Sequence, residues 1–293
     1  MKIFITGSES FIGKVLWEML TDAGHEVSGV DVASPSHPAA AQMDLRDERL
    51  GDCIPEGATV IHLAAVSTDS LCKADPLTAL DININGTLQV ARACLRRNAA
   101  QLLFASSEWV YGDVANDEIQ TEESAIDATR IGSLYAFSKL AGERILRFSG
   151  IANVSVLRFG IVYGPKRANW SAVESLIDKI HRGEALSVGS LKTSRRFIHV
   201  LDLCRGIVAA IGQKGFSIFN LSGDTNITLG DIAAAADKVL GKKTPLTETN
   251  PAKISVRNPA NMKARGTLHW APTVPFEDGV KEFVEYLKQT AQA

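Results

Sequence analysis

Short apolar runs alternate with longer amphipathic stretches along the first half of the chain. Lys2–Thr6 is a continuous apolar run and predicts a strand. Phe11–Ala23 carries Val15, Leu16, Met19 and Leu20 at helical spacing, and Gly24 stands where a helix-ending glycine belongs. Val27–Asp31, Thr59–Ala65, Leu102–Ser106 and Val154–Phe159 read as further strands. Leu77–Arg97 reads as one helix, with Leu80, Ile84, Leu88, Ala91 and Leu95 as its apolar stripe, and Tyr135–Phe148 as another. Strands that are apolar on both faces, with helices between them, predict an α/β fold built on a doubly wound parallel sheet.

After Gly164-Pro165 the rhythm loosens. Trp170–Arg182, Leu203–Ile211 and Glu277–Lys288 read as helices. So does Thr228–Leu240, with Thr228 as N-cap and Asp231 three residues on. Pro251–Pro275 reads as an irregular segment rich in Pro, Asn and basic residues. The expected division is a nucleotide-binding domain over 1–165, with 196–220 returning to it. A small substrate-binding lobe then takes 166–195 and 221–293.

The composition narrows the function. Lys plus Arg is 31 against 33 for Asp plus Glu, so strong nonspecific binding to nucleic acid or an acidic membrane surface is not the main activity. No uncharged apolar stretch reaches about 18 residues, so no membrane span is expected. Gly7, Ser8, Glu9 and Ser10 interrupt the first apolar run before a signal peptide could form. The expected setting is cytoplasmic. The four cysteines, Cys53, Cys72, Cys94 and Cys204, lie far apart with no metal-binding spacing, which predicts reduced thiols and no metal site.

Gly7-x-x-Ser10-x-x-Gly13 directly follows the first strand and opens the first helix. A dinucleotide fold needs a tight turn there, so that a helix N-terminus aims free N–H groups at a pyrophosphate. The spacing alone is weak. It gains force from Asp31 at the end of the next strand, where a carboxylate accepts from ribose hydroxyls and repels a 2′-phosphate. No Arg or Lys follows at once, which favours NAD over NADP. Ser10 stands in the place of a middle glycine. Its Cβ would crowd the pyrophosphate, or its hydroxyl would donate to it; the sequence leaves both open.

Tyr135 and Lys139 lie four apart in a helical stretch and share a face, and Ser107 ends the fourth strand. An ammonium about 4 Å from a phenol, at an effective dielectric near 20, contributes about 4 kcal/mol. That equals about three pKa units. With the positive charge of oxidised nicotinamide, Lys139 would bring Tyr135 close to neutrality. The phenolate would take a sugar hydroxyl's proton while hydride leaves the same carbon, and Ser107 would position that hydroxyl.

These residues sit in motifs that resemble, over nearly the whole length, the extended short-chain dehydrogenase/reductase family in its NAD-dependent epimerase/dehydratase branch. TGSESFIG (Thr6–Gly13) resembles its glycine turn, and Asp44-Leu45 its adenine-contacting motif. His62–Ala65 (HLAA) and Asn83–Thr87 (NINGT) resemble its third-strand and helix motifs. SSEWVYG (Ser106–Gly112), LRFGIVYGP (Leu157–Pro165), RRFIHVLDL (Arg195–Leu203) and RGTLHWAPTVPFEDGVKEFV near the end resemble later ones. The resemblance implies a Rossmann fold that binds NAD through Gly7, Ser10, Phe11, Ile12, Gly13, Asp31, Asp44, Leu45, Leu63, Ala64, Ala65, Asn83, Tyr135, Lys139, Gly160 and Val162. It implies Ser107, Tyr135 and Lys139 as catalytic residues, Ser107, Glu108, Ile161 and Arg195 at the substrate, and dimerisation through Leu77–Arg97 and Tyr135–Phe148.

The departures bear on substrate. Ile161 stands where many nucleotide-sugar epimerases have Asn, and Arg196 replaces an Asp. Arg195 remains, and its guanidinium suits a substrate phosphate. Family 4,6-dehydratases carry two acids after the catalytic hydroxyl. Here Glu108 is followed by Trp109, which cannot act as a base, while Glu108 itself is a candidate to contact substrate or move a proton. The leading expectation is an NAD-dependent nucleotide-sugar epimerase working by transient C4 oxidation. A sugar dehydrogenase or ketosugar reductase comes second. A dehydratase-like enzyme or a non-catalytic NAD sensor comes last.

Overall fold

Successive side chains of Lys2–Thr6 leave on opposite faces, and each face enters a core: Ile3 and Ile5 one, Phe4 the other. In Gln101–Ser107, Leu103 and Ala105 face one way and Leu102 and Phe104 the other. Such strands need cover on both sides. The computed structural model describes residues 1–114, 118–168 and 170–290, the side chain of Arg130 apart. Its main sheet has seven strands: β1 (Lys2–Thr6), β2 (Glu26–Asp31), β3 (Ala40–Gln42), β4 (Thr59–His62), β5 (Gln101–Ser107), β6 (Val154–Phe159) and β7 (Phe216–Leu221). Their spatial order is β7-β6-β5-β4-β1-β2-β3, every neighbouring pair parallel. This is the doubly wound fold that the strand and helix pattern predicts. The order reverses between β1 and β4, and a crevice opens there beyond the carboxyl ends of the strands.

The helices that matter below are α1 (Phe11–Asp22), α2 (Pro76–Leu80), α3 (Gly86–Arg96), α4 (Leu134–Arg147), α5 (Ala172–His181), α6 (Val200–Ala209), α7 (Leu229–Leu240), α8 (Met262–Leu268) and α9 (Phe276–Thr290), besides short helices such as Leu50–Cys53 and Asp69–Ala74. Leu16 and Leu20 of α1, Leu203 and Ile207 of α6 and Ala264 of α8 cover one face of the sheet. Val90 and Cys94 of α3 and Leu146 of α4 cover the other. A third core joins α5, α7 and α9 through Ile177, Ile180, Ile232, Phe283 and Val284. Capping follows the sequence: Gly24 takes φ +77°, and Thr228 and Asp231 exchange both bonds of a capping box.

Three expectations change. The strand expected over Thr59–Ala65 stops at His62, because the N–H groups of Leu63 and Ala64 both turn to the Thr6 carbonyl at 3.0 and 3.1 Å. The helix expected over Leu77–Arg97 is broken into α2 and α3 by a π turn at Asp81–Asn85. Its buried face is Ala79, Asn83, Thr87, Val90 and Cys94, while Leu80, Ile84 and Leu88 are half-buried and Leu95 is exposed. Finally, α8 lies within Pro251–Pro275, tucking Ala264, Leu268 and Trp270 against the sheet, and Trp270 Nε1 donates to Asp202 O at 3.0 Å. Among the described residues no helix is long and apolar enough to cross a membrane, and no group of three His, Cys, Asp or Glu side chains could hold a metal ion.

Candidate active site

The turn from β1 into α1 depends on two glycines. Gly7 takes φ +77°, and a Cβ there would lie 2.8 Å from Ala64 N. A Cβ at Gly13 would lie 2.2 Å from Gly7 O. The turn is therefore as tight as the sequence demands, and the first N–H groups of α1 face the crevice without helical partners. Ser10 settles its open question by a third route: its Oγ accepts from Gly13 N at 3.0 Å and caps α1. Asp31, at the end of β2, accepts from Glu9 N at 2.9 Å and Ala33 N at 3.0 Å. Arg46, at 2.7 Å, holds Asp44 below the usual carboxylate range.

At the other end of the crevice, Ser133 caps α4: its Oγ accepts from Ala136 N at 3.1 Å and donates to Asp69 Oδ1 at 2.7 Å. Tyr135 and Lys139 then face the end of β5. Ser107 and Tyr135 both line the cleft there, and the Ser107 Oγ accepts from Trp109 N at 3.3 Å. Lys139 Nζ donates to Ala105 O at 2.7 Å and lies 5.8 Å from the centre of the Tyr135 ring. Burial pushes Tyr135 up to about 12, against the pull of Ser107. Burial pushes Lys139 down to about 8. In the protein alone the phenol therefore keeps its proton at neutral pH.

Buried hydrogen bonds hold this end in place. Asn83, on the π turn, accepts from Val66 N at 2.8 Å and donates to Val66 O at 3.1 Å and Ser138 Oγ at 2.9 Å. It ties the loop after β4 to α4. Thr87 Oγ1 donates to Asn83 O at 2.7 Å, so His62 Nε2–H donates to Thr87 at 3.1 Å and Nδ1 accepts from Thr6 at 2.8 Å. Burial holds His62 neutral, at about 3.

The two ends bound one cleft of about 670 Å³. Gly7, Ser10, Phe11, Ile12, Asp31, Asp44, Leu45, Leu63, Ala64 and Ala65 line it, as do Ser107, Tyr135, Lys139, Gly160, Ile161 and Val162. Gly13 lies beneath the turn and Asn83 behind Val66, neither on the cleft wall. Glu108 is wholly buried away from the cleft, with neither oxygen hydrogen-bonded. Arg195 Nε is 3.7 Å from it and Arg257 Nη1 3.9 Å, yet burial still pushes it up to about 7. Arg195 turns from the cleft too, donating through Nη1 to Ser194 O and Ser255 O, both at 2.7 Å. Arg196 donates to Asn258 Oδ1 at 2.6 Å and Asp224 O at 2.8 Å.

The sequence reading passed over Glu9, Ser67, Thr68, Asp69, Trp109, Lys166 and Trp170, all on the cleft wall. Ser67–Asp69 follow the carboxyl end of β4, a position that alone marks them. Trp109 stands edge-on to Tyr135 with ring centres 6.4 Å apart, and Arg257 lies over its other side at 4.1 Å.

Comparison with known proteins places this arrangement. The description of the NAD dependent epimerase/dehydratase family matches residues 3–222. The chain belongs to that family. Members of the NAD dependent epimerase/dehydratase family similar to it include a UDP-glucuronate 4-epimerase of Thermodesulfobacterium geofontis, 25% identical, with 98% of this chain and 96% of that protein covered. A UDP-glucuronic acid decarboxylase 1 of Xenopus tropicalis is 27% identical, with 98% and 72% covered. Among solved structures, the UDP-glucuronic acid 4-epimerase of Bacillus cereus, in complex with UDP-glucuronic acid and NAD, shares the fold at a TM-score of 0.85 and 24% identity, with 99% and 100% covered.

Proposed function

We propose that this chain is an NAD-dependent epimerase of a nucleotide sugar. The observation that carries the reading is the floor of the cleft. There the Ser107 and Tyr135 side chains share the wall with Lys139 one turn on, while Glu108, next in sequence to Ser107, is buried elsewhere. A phenol and a serine suit removal and return of one hydroxyl proton. An elimination asks for acids aimed at the sugar, and Trp109 takes the second of those positions.

The turn fits NAD. The glycines let the turn fold tightly enough to aim the start of α1 at the cleft, and Asp31, whose two oxygens each accept one backbone N–H, keeps further lone pairs at the end of β2, where a ribose belongs. When bound, NAD would supply the hydride acceptor and, in its oxidised form, a positive charge. Ser107 orients the sugar hydroxyl, Tyr135 takes its proton and later returns it, and Lys139 steadies the phenolate. The core of α5, α7 and α9 is the lobe that holds the sugar nucleotide. The relatives' substrates support a UDP-linked hexose or hexuronic acid.

We also propose a homodimer through α2, α3 and α4. Leu77 is 81% exposed, Leu95 48%, and Phe137 on α4 47%. This is apolar surface that a partner would cover.

Purified protein, NAD and a panel of UDP-sugars test the reading. Chromatography should show the C4 epimer forming with no net change in absorbance at 340 nm. Net NADH production or consumption would favour a dehydrogenase or reductase instead. Tyr135→Phe should lower turnover by at least about 100-fold, far more than it weakens NAD binding.

A further inference from the structure

We propose that Lys166 grips the diphosphate of the dinucleotide, releasing Glu174 to do so. The inference rests on the cofactor reading above and adds a residue that reading does not use.

Charge on the cleft wall is uneven. Glu9, Asp31, Asp44 and Asp69 line it, and among the described lining residues the cations are Lys139 and Lys166. Lys139 is committed to the catalytic end, where its Nζ donates to Ala105 O. Lys166 sits at the other critical point. Its Nζ lies 5.1 Å from the ring centre of Phe11, the first residue of α1, whose N-terminus is the diphosphate seat. Glu9, Asp44 and Asp69 are paired with Lys14, Arg46 and Lys73, so the lining cation next to that seat is Lys166.

That cation is held in readiness and not locked. Lys166 Nζ lies 3.1 Å from Glu174 Oε1 and 3.2 Å from Val162 O. Glu174 is wholly buried, so a carboxylate left without partners there would be costly. It has other partners. Oε1 accepts from Gly164 N at 3.1 Å, and Oε2 accepts from Ser171 N at 2.7 Å and from the Ser171 hydroxyl. The Ser171 bonds belong to the capping box of α5, and none of the three involves the lysine. Three donors stay on Glu174 when the ammonium turns to a phosphate oxygen, so the exchange leaves no bare buried charge. A lysine suits this task because its charge rides on a flexible stem with three donors.

The test compares Lys166→Met and Lys166→Arg with the parent chain. Affinities are measured by calorimetry for NAD and ADP-ribose, which carry the diphosphate. Saturation-transfer NMR follows adenosine, which lacks it. Lys166→Met should bind NAD and ADP-ribose about tenfold more weakly, the equivalent of about 1.4 kcal/mol. Adenosine binding should hold, and Lys166→Arg should recover most of the loss. Unchanged ADP-ribose affinity in Lys166→Met overturns the assignment, as does an equal loss for adenosine. If the parent chain binds neither NAD nor ADP-ribose, the cofactor reading itself fails, and this assignment with it.

Discussion

Burial sets the protonation of the titratable side chains around the carboxyl ends of β4 and β5. It holds His62 near 3, Lys139 near 8, Glu108 near 7 and Tyr135 near 12. Glu108 is the case with a stability consequence. Its folded value lies above the usual 4.5, so the fold keeps a proton that the unfolded chain releases. The resulting stabilisation is present below about pH 4.5 and is lost as pH rises to about 7, a change of about 3 kcal/mol. Arg195, Arg257 and Asp113 are the charges that face it, and both arginines act against the shift. Glu108→Gln should therefore flatten the fall in melting temperature between pH 5 and pH 8, read by scanning calorimetry. Parallel curves for the two proteins would exclude the assignment. At this scale the sequence is informative where chemistry is local. Gly7, Asp31, Ser107, Tyr135 and Lys139 each sit at the end of a strand or on one helix face, and periodicity locates both. The inward turn of Glu108 was not legible, because Arg257, one of the charges it meets, comes from a distant part of the chain.

A π turn carries one residue more than α-helical periodicity allows, and such turns gather at functional sites. Between α2 and α3 it directs Asn83 inward to three hydrogen bonds, two on Val66 and one on Ser138 of the helix that bears Tyr135 and Lys139. Asn83→Ala should cost about 3 kcal/mol in chemical denaturation, since it strands buried donors and acceptors. Turnover should fall with it, because Tyr135 loses a support. Asn83→Asp keeps the acceptor for Val66 N and should fall between the two. The pattern Leu80, Ile84, Leu88, Ala91, Leu95 is a sound helical stripe, of which Ala91 alone is buried. It misled because a sequence shows the period but not the inserted residue, and because the buried side chains include small ones, such as Ala79 and Thr87. Segments without a strong period of their own, such as β3, β7 and α8, form only against surfaces made elsewhere, and the sequence did not announce them.

For the whole molecule, apolar side chains left outside become evidence for assembly. Leu77, Leu95 and Phe137 lie on helices that cover one face of the sheet, yet they are left to solvent. Light scattering should give twice the chain mass for the parent protein. Leu77→Arg combined with Phe137→Arg should give the chain mass while leaving the melting transition cooperative. A monomeric parent would refute the dimer. The three cores also differ in what they bring together. Two are built on the sheet, and the third is built from α5, α7 and α9, whose first turn holds Glu174 and through it Lys166 above the dinucleotide turn.

The place of β7 has a consequence for synthesis. It pairs with β6 through residues 216–221, against 154–159 on its neighbour. A nascent chain emerges at about 10 residues per second, so β6 waits several seconds with a row of open N–H and C=O groups. During that interval the growing protein offers other chains an unguarded template, and speed of translation past residue 221 becomes part of its protection from aggregation.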